Sequence, residues 1–198
     1  MVRRRGFPGS PATRNRGIVR PVQALAATLL LVLSGAARRD AAALESLHPE
    51  VQKRITDLRA KMKVRRRRVL LTSGARRGDP ADSLHNQSLA CDVKVSGLHS
   101  VKIARELEKV GFSCAIPYFD SRGRPCGMAH GDLRHTPLAE GPYAPESGEK
   151  HCPAAAISKT GGCGNDSKGQ WTYYGEWPKR LRRWKPALPR TSLASLPR

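Results

Sequence analysis

Two stretches of the chain place apolar side chains at helical spacing. Between residues 49 and 62 the apolar positions lie four, three and four residues apart, at Val51, Ile55, Leu58 and Met62. Between Ser100 and Val110 a second apolar face is followed by Gly111, a residue that readily ends a helix; its members are Ile103, Leu107 and Val110. Both patterns predict amphipathic helices with one face towards a core.

Short apolar or alternating runs separate and follow these helices. The run Ala90–Val95 alternates in a way that gives a strand two distinct faces. Three further candidate strands are short: Val69–Leu71, Phe112–Ile116 and Ala129–Leu133. The order of helix, strand, loop, strand, helix, strand and strand predicts an α+β fold with a small, mostly antiparallel sheet and flanking helices.

The chain after about residue 142 loses this periodicity. Residues 142–170 are rich in Gly, Ser, Pro and Lys, a composition typical of irregular structure. We therefore expect residues 142–198 to be an irregular extension. In its tail, Trp171, Tyr173, Tyr174, Trp177 and Trp184 are interleaved with Lys and Arg. Either this tail docks on anionic wall polymer or lipid headgroups, or it packs a Trp on the domain and leaves its charges in water.

The N-terminus has the three parts of a secretory signal. A basic stretch containing Arg3, Arg4 and Arg5 precedes an apolar run from Val22 to Leu33, and small residues follow. The apolar run is shorter than the roughly 20 residues that span a bilayer. We interpret residues 1–43 as a signal peptide, with cleavage near residues 36–37 or after residue 43. The protein is then exported to the periplasm or cell envelope, or secreted.

Charge adds a constraint on the partner. The formal net charge is +20, and residues 44–198 keep 28 basic and 15 acidic side chains. This excess favours an anionic partner such as the cell-envelope surface. Export argues against nucleic acid. The basic run from Lys63 to Arg68 is interpreted as a solvated turn.

Five cysteines fit an oxidising compartment. No pair has the CxxC spacing of a structural zinc ribbon. Cys152 and Cys163 flank a Gly-rich stretch where a disulfide would add most to stability. Cys114 and Cys126 bracket a loop and could form a second pair. Cys91 lies in an apolar alternation and is interpreted as a buried free thiol.

His85, Asp92 and His130 form a candidate metal site. His85 lies at the end of a loop, Asp92 on a predicted strand and His130 on a later one. Catalytic zinc sites use three such protein ligands and leave one position open. Spacing alone also fits a surface His beside a strand-end Asp, so the surrounding residues decide between the two interpretations.

Several short stretches occur in one order between residues 71 and 134. They are Leu71 to Arg76, Ser83 to His85, Ala90 to Val93, Tyr118, and His130 to Arg134. This order resembles the zinc D-alanyl-D-alanine peptidase family, which has the hedgehog/DD-peptidase fold. In that family a strand ends in Ser-Gly-x-Arg, a Ser-x-His…Ala-x-Asp stretch supplies two zinc ligands, and a later His supplies the third. The resemblance covers roughly residues 47–140, which gives a peptidase-like domain at residues 44–141.

The resemblance implies roles for individual residues. His85, Asp92 and His130 would bind zinc, and Arg76 would lie at the edge of the cleft, pairing with a substrate carboxylate or stabilising developing charge. Many members carry an acidic general base three residues before the third ligand, where this chain has Gly127. The residues that could replace that base are Asp132, Asp120 and Glu140. Asp132 could equally orient a ligand His.

The function that follows is a zinc-dependent peptidase of the cell wall. It would hydrolyse amide bonds next to D-amino acids in peptidoglycan peptides, as a carboxypeptidase or an endopeptidase. Because Gly127 occupies the usual base position, the alternative is a non-catalytic wall-binding module that keeps the fold and the metal. A third hypothesis is a small secreted cationic protein whose disulfides and charge carry its activity.

Overall fold

The computed structural model describes residues 37–76, 79–80, 83–147, 152–163 and 170–185. Its centre is one six-stranded sheet in the order β1-β2-β4-β3-β5-β6. Every neighbouring pair is antiparallel except β3 and β5. The predicted α+β class with a mostly antiparallel sheet is confirmed. The strands are β1 Val69–Ser73, β2 Ala90–Val95, β3 Cys114–Phe119, β4 Pro125–Asp132, β5 Ala155–Ser158 and β6 Trp171–Tyr174.

Helix α1 (Pro49–Val64) and helix α2 (Ser100–Lys109) are the two that the periodicity predicts. The four apolar positions of α1 are all buried, and α1 begins where the His48 side chain accepts a hydrogen bond from the Glu50 amide. Short 3-10 helices follow at Gly141–Tyr143 and Lys179–Trp184. Among the described residues, no helix is long and apolar enough to cross a bilayer.

The two faces of the sheet have different neighbours. On one face, odd-numbered β2 residues such as Val93 pack with Ala129 of β4 and with apolar residues of α1 and α2 in a single buried cluster. Successive side chains of a strand point to opposite faces, so Asp92 and His130 project to the other face. The helices therefore leave that second face available for a polar site.

The prediction of an irregular chain after residue 142 is wrong for two segments. Strands β5 and β6 extend the sheet beyond β3. Each has only four residues, and β5 is buried at every position. Its Ala-Ala-Ile-Ser sequence therefore lacks the alternation that reveals a half-buried strand.

Two disulfides join this extension to the sheet, in pairings that differ from those suggested by the sequence. Cys114 bonds Cys152, and Cys126 bonds Cys163. The first pairing follows from the parallel register, because Tyr118 lies opposite Ala156 and each cysteine is four residues earlier on its own segment. Cys91 is a buried free thiol, as predicted.

The predicted signal segment, residues 1–43, lies mostly outside the described residues. Its last part is described: residues 37–45 are helical. Asp40 accepts hydrogen bonds from the Arg59 side chain at 2.6 Å and from the Leu71 amide at 2.8 Å. Cleavage near residues 36–37 would keep these contacts, whereas cleavage after residue 43 would remove them.

A buried carboxylate joins α1 to α2. Glu106 is 7% exposed and forms ion pairs with Lys61 at 2.8 Å, Lys109 at 2.9 Å and Arg65 at 3.3 Å. Burial opposes its ionisation, but hydrogen bonds from Lys61 and Lys109 outweigh burial and lower the pKa of Glu106 from 4.5 to about 2. Its charged form is therefore part of the folded state.

We expect Glu106→Gln to lower the free energy of unfolding at pH 7 by about 1.5–3 kcal/mol, because hydrogen bonds to a charged group are lost. A lowered folded-state pKa gives stability that is complete above the unfolded value of 4.5 and disappears as the pH falls towards 2. Urea unfolding at several pH values should therefore show wild type and variant converging near pH 2. Glu108→Gln, an exposed change on the same helix, is the matched control. A wild-type advantage that does not change with pH would contradict this account.

Candidate metal centre

The three residues that the sequence predicts as metal ligands lie together. Asp92 of β2 and His130 of β4 are direct cross-strand neighbours, and His85 reaches them from the loop before β2. All three are buried, and one potential ligand atom from each lies within 4.8 Å of the others. This candidate metal centre (His85, Asp92 and His130) can hold a metal ion.

The distances fit a small cation. His130 Nδ1 lies 3.2 Å from Asp92 Oδ1, and His85 Nε2 lies 3.8 Å from Asp92 Oδ2. Tetrahedral ligands with bonds of about 2.1 Å are separated by about 3.4 Å. The two observed separations, which end on different Asp92 oxygens, lie on either side of that value, and the three ligand atoms together lie within 4.8 Å of one another.

Hydrogen bonds fix which nitrogen each imidazole presents. His85 Nδ1 lies 3.0 Å from the Gly74 carbonyl oxygen, which can only accept. Nδ1 therefore carries the proton, and Nε2 turns a lone pair towards Asp92. Gly74 is required at this position, since a Cβ there would lie 2.5 Å from the carbonyl oxygen of Ala43.

Asp132 orients the second imidazole. It is fully buried, and its Oδ2 lies 2.9 Å from His130 Nε2. Arg134 holds the same carboxylate through Nε at 3.0 Å and Nη2 at 2.7 Å. The sequence left a catalytic role and an orienting role open for Asp132. The observed contacts are those that the orienting role requires, a carboxylate hydrogen-bonded to a candidate ligand His.

The charges of the cluster hold a proton on His130, which lies between the two aspartates. Burial opposes ionisation of His130, but hydrogen bonds to Asp132 and Asp92 outweigh it and raise the pKa of His130 to about 9. Burial and the neighbouring charge of His130 lower the pKa of His85 to about 4. The pKa of Asp92 is about 2, because contacts with His130 overcome the effect of its burial. The cluster thus carries a positive charge on His130, and a bound metal ion would take the place of that proton.

Arg76 lies at the rim of the centre, as the resemblance implies. Its Nη2 donates to Asp92 Oδ2, and its Nε donates to Ser73 Oγ at 2.7 Å. Its side chain is 46% exposed, in contrast to 3% for Asp92. Arg76 therefore contacts a ligand carboxylate and also faces solvent, where it can meet an anionic group.

Two of the three carboxylates considered as a replacement base, Asp120 and Asp132, are held by their own partners away from the open side. Asp120 accepts from the Arg124 side chain at 2.7 Å within its own turn, and the backbone amide of Glu140 bonds to Gln87. Asp132 lies behind His130. Gly127 is exposed and three residues from His130 on β4, so a side chain at position 127 would point to the opposite face.

An aromatic wall beside the centre was missed by the sequence analysis. The Tyr118 hydroxyl donates to Asp92 Oδ1 at 3.0 Å, and the Trp171 ring stacks on Tyr118 at 4.6 Å. Ala156 pairs with Tyr118 on one side and with Tyr173 on the other, so both tyrosines share a face. Tyr173 is 52% exposed as a whole residue. Partial burial of its hydroxyl end and the charge of Asp92 raise the pKa of Tyr173. The signal in the sequence was the aromatic run at residues 171–174, whose place in the sheet was not predicted.

Comparison of the chain with protein-family models, curated proteins and solved structures found no match. The resemblance to zinc D-alanyl-D-alanine peptidases therefore depends on the short stretches of residues described above.

We expect the purified protein to bind about one zinc ion per chain, because two oriented imidazoles and a carboxylate converge with one coordination position open. His85→Ala should abolish this binding. Metal analysis after dialysis measures the stoichiometry, and His48→Ala, which removes an imidazole at the start of α1, should leave it unchanged. Equal zinc retention by His85→Ala and wild type would contradict the assignment.

Asp132→Asn should weaken zinc affinity roughly 10- to 100-fold without abolishing binding, because the orienting charge behind His130 is lost. Competition with a chromophoric chelator measures the affinity. Asp120→Asn is the matched control, since Asp120 is also buried and paired with an arginine. If both variants lose affinity equally, the effect is one of general stability and the orienting role is wrong.

Proposed function

We propose that the protein is a zinc-dependent peptidase that hydrolyses amide bonds next to D-amino acids in peptidoglycan peptides. The observation that carries the proposal is the buried cluster of His85, Asp92 and His130 with the half-exposed Arg76 at its rim. A metal site that serves structure alone is normally closed by four protein ligands. Here three candidate ligands lie beside the solvent-facing guanidinium of Arg76. This arrangement suits the binding of an anionic substrate.

Zinc held by such a ligand set supplies Lewis-acid activation of an amide carbonyl and of water. The chain's own residues have separate tasks. Tyr118 and Arg76 each hydrogen-bond one oxygen of Asp92 and so hold the carboxylate in place. The outward part of Arg76 is placed to pair with a terminal carboxylate of the substrate.

Trp171 and Tyr173 form the wall opposite Arg76. Both belong to β6, and the Tyr118 ring that contacts Asp92 also stacks on Trp171. A flat aromatic surface of this kind packs against the apolar part of a small peptide. Hydrolysis between these two sides would add water across the amide and release a carboxylate and an amine.

The choice of peptidoglycan follows from the resemblance and from the predicted export. The motif order from Leu71 to Arg134 resembles that of zinc D-alanyl-D-alanine peptidases. A basic protein with a signal-like N-terminus would meet such peptides in the cell envelope.

A second candidate is a wall-binding module that keeps the metal but not the catalysis. Among the described residues, Asp132 is the only other carboxylate that hydrogen-bonds the cluster, and it lies behind His130. No second described carboxylate therefore bonds the cluster from its open side, where a base for an attacking water would act. This observation favours binding without hydrolysis.

Digestion of purified peptidoglycan separates the two candidates. We expect the zinc-loaded protein to release new amino groups, with none released after chelation and recovery on zinc addition. Mass spectrometry of the fragments would distinguish terminal trimming from cross-link cleavage. A protein that pellets with peptidoglycan in a zinc-dependent way and cleaves nothing would contradict the peptidase and support the module.

Tyr173→Phe should lower kcat/KM roughly two- to tenfold, because a hydroxyl at the wall loses its contact with the substrate. The matched control is Tyr174→Phe, since Tyr174 lies on the opposite face of β6 and packs in a different apolar cluster. Steady-state kinetics on a soluble stem-peptide fragment makes the comparison. Equal losses of kcat/KM in the two variants would show that the Tyr173 hydroxyl does not contact the substrate.

A further inference from the structure

A surface far from the candidate metal centre carries a dense positive charge. Four segments, residues 63–68, 102–105, 121–124 and 179–185, together contain 14 Lys and Arg and no Asp or Glu. All but one of these cations are exposed, and Arg67 is half-buried. Two of the exposed ones, Arg65 and Arg124, pair with the buried carboxylates Glu106 and Asp120. We call these four segments the basic face.

Direct contacts join the segments into one surface. Arg67 Nη1 donates to the Ser96 carbonyl oxygen at 2.7 Å, which ties the loop after α1 to the chain that enters α2. The His99 ring, just before α2, lies 5.3 Å from the Trp184 ring. Arg180 Nη1 donates to the Ser121 carbonyl oxygen at 3.4 Å.

The basic face lies on the side of the sheet opposite the metal centre. Leu181, at the middle of the 179–185 segment, is fully buried with Phe119 of β3 and Val101 of α2. These residues belong to the helix-covered side, whereas Asp92 and His130 face the other way. A partner bound to the basic face would therefore leave the exposed side of Arg76 open to solvent.

We propose that the basic face docks on an anionic phospholipid surface. Its cations come from four separate elements and so cover an area, as a bilayer requires. Each Lys or Arg close to an anionic bilayer contributes to attraction that extends over about a Debye length.

Two further features favour lipid over a soluble polyanion. Val64 is 85% exposed within the basic run after α1, where an apolar side chain can enter the headgroup region. A cavity of about 590 Å³ is also lined by Trp177, Arg182 and Lys185, with Glu176 as its one carboxylate, so it combines a net positive charge with an aromatic ring. The inference does not depend on the peptidase proposal.

Co-sedimentation of the full chain with vesicles tests the docking. We expect binding to vesicles of phosphatidylcholine mixed with phosphatidylglycerol, none to phosphatidylcholine alone, and release as salt rises above about 0.1 M. The triple variant Lys179→Gln, Arg182→Gln, Lys185→Gln should weaken binding by about tenfold or more. Circular dichroism and thermal unfolding, unchanged in the variant, would show that it folds.

The control carries the same loss of charge elsewhere, as Lys53→Gln, Lys94→Gln, Lys159→Gln, and should bind within about twofold of wild type. Because the N-terminal segment is identical in all three proteins, it cannot produce a difference between them. Equal weakening of the variant and the control would overturn the proposal. Inorganic polyphosphate that binds more tightly than the anionic vesicles would overturn it as well, since the partner would then be a soluble polymer.

Discussion

The antiparallel register between β2 and β4 is the constraint on which the candidate site depends. It places Asp92 directly opposite His130, on the face that the helices leave open. A slip of one residue would turn one of these side chains into the helix-covered core. The apolar residues on the other face, Val93 and Ala129, resist such a slip because both are fully buried against the helices. The hydrophobic core therefore fixes the geometry of a polar cluster that it does not touch.

The cluster itself is a buried polar network whose members hold one another. Each Asp92 oxygen accepts from a different rim residue, Oδ1 from Tyr118 and Oδ2 from Arg76. On the far side, Asp132 connects His130 to Arg134. Burying so many charged groups is unfavourable unless each has a partner. Because these groups have partners, the three potential ligands are already oriented, and little ordering remains for a cation to impose.

The sequence predicted the parts of the structure that arise from local pattern. Both helices, the bounds of β2 and the cluster of His85, Asp92 and His130 could be found from spacing and motif order, because each has a signal within a short stretch. The disulfides and the aromatic wall could not. The Cys114–Cys152 disulfide joins residues 38 positions apart, and only the parallel pairing of β3 with β5 brings them together. Tyr173 reaches the site only because β6 adds to the same sheet, and neither four-residue strand has a pattern of its own.

The strand geometry also changes the meaning of Gly127. By resemblance, this position is where a catalytic carboxylate would stand, and its loss would argue against catalysis. On β4, however, Cys126 and Met128 pack in the cluster that contains Tyr118, so position 127 between them projects to the opposite face of the sheet. The presence of Gly127 therefore does not distinguish a peptidase from a binding module. What separates them is the open side of the centre, where Arg76 and Tyr118 hydrogen-bond Asp92 and no second described carboxylate bonds the cluster. A peptidase built on this cluster must obtain its proton acceptor from a group that makes no hydrogen bond to the cluster in this structure: the substrate, the solvent, an exposed carboxylate such as Glu140 or a residue outside the described part of the chain.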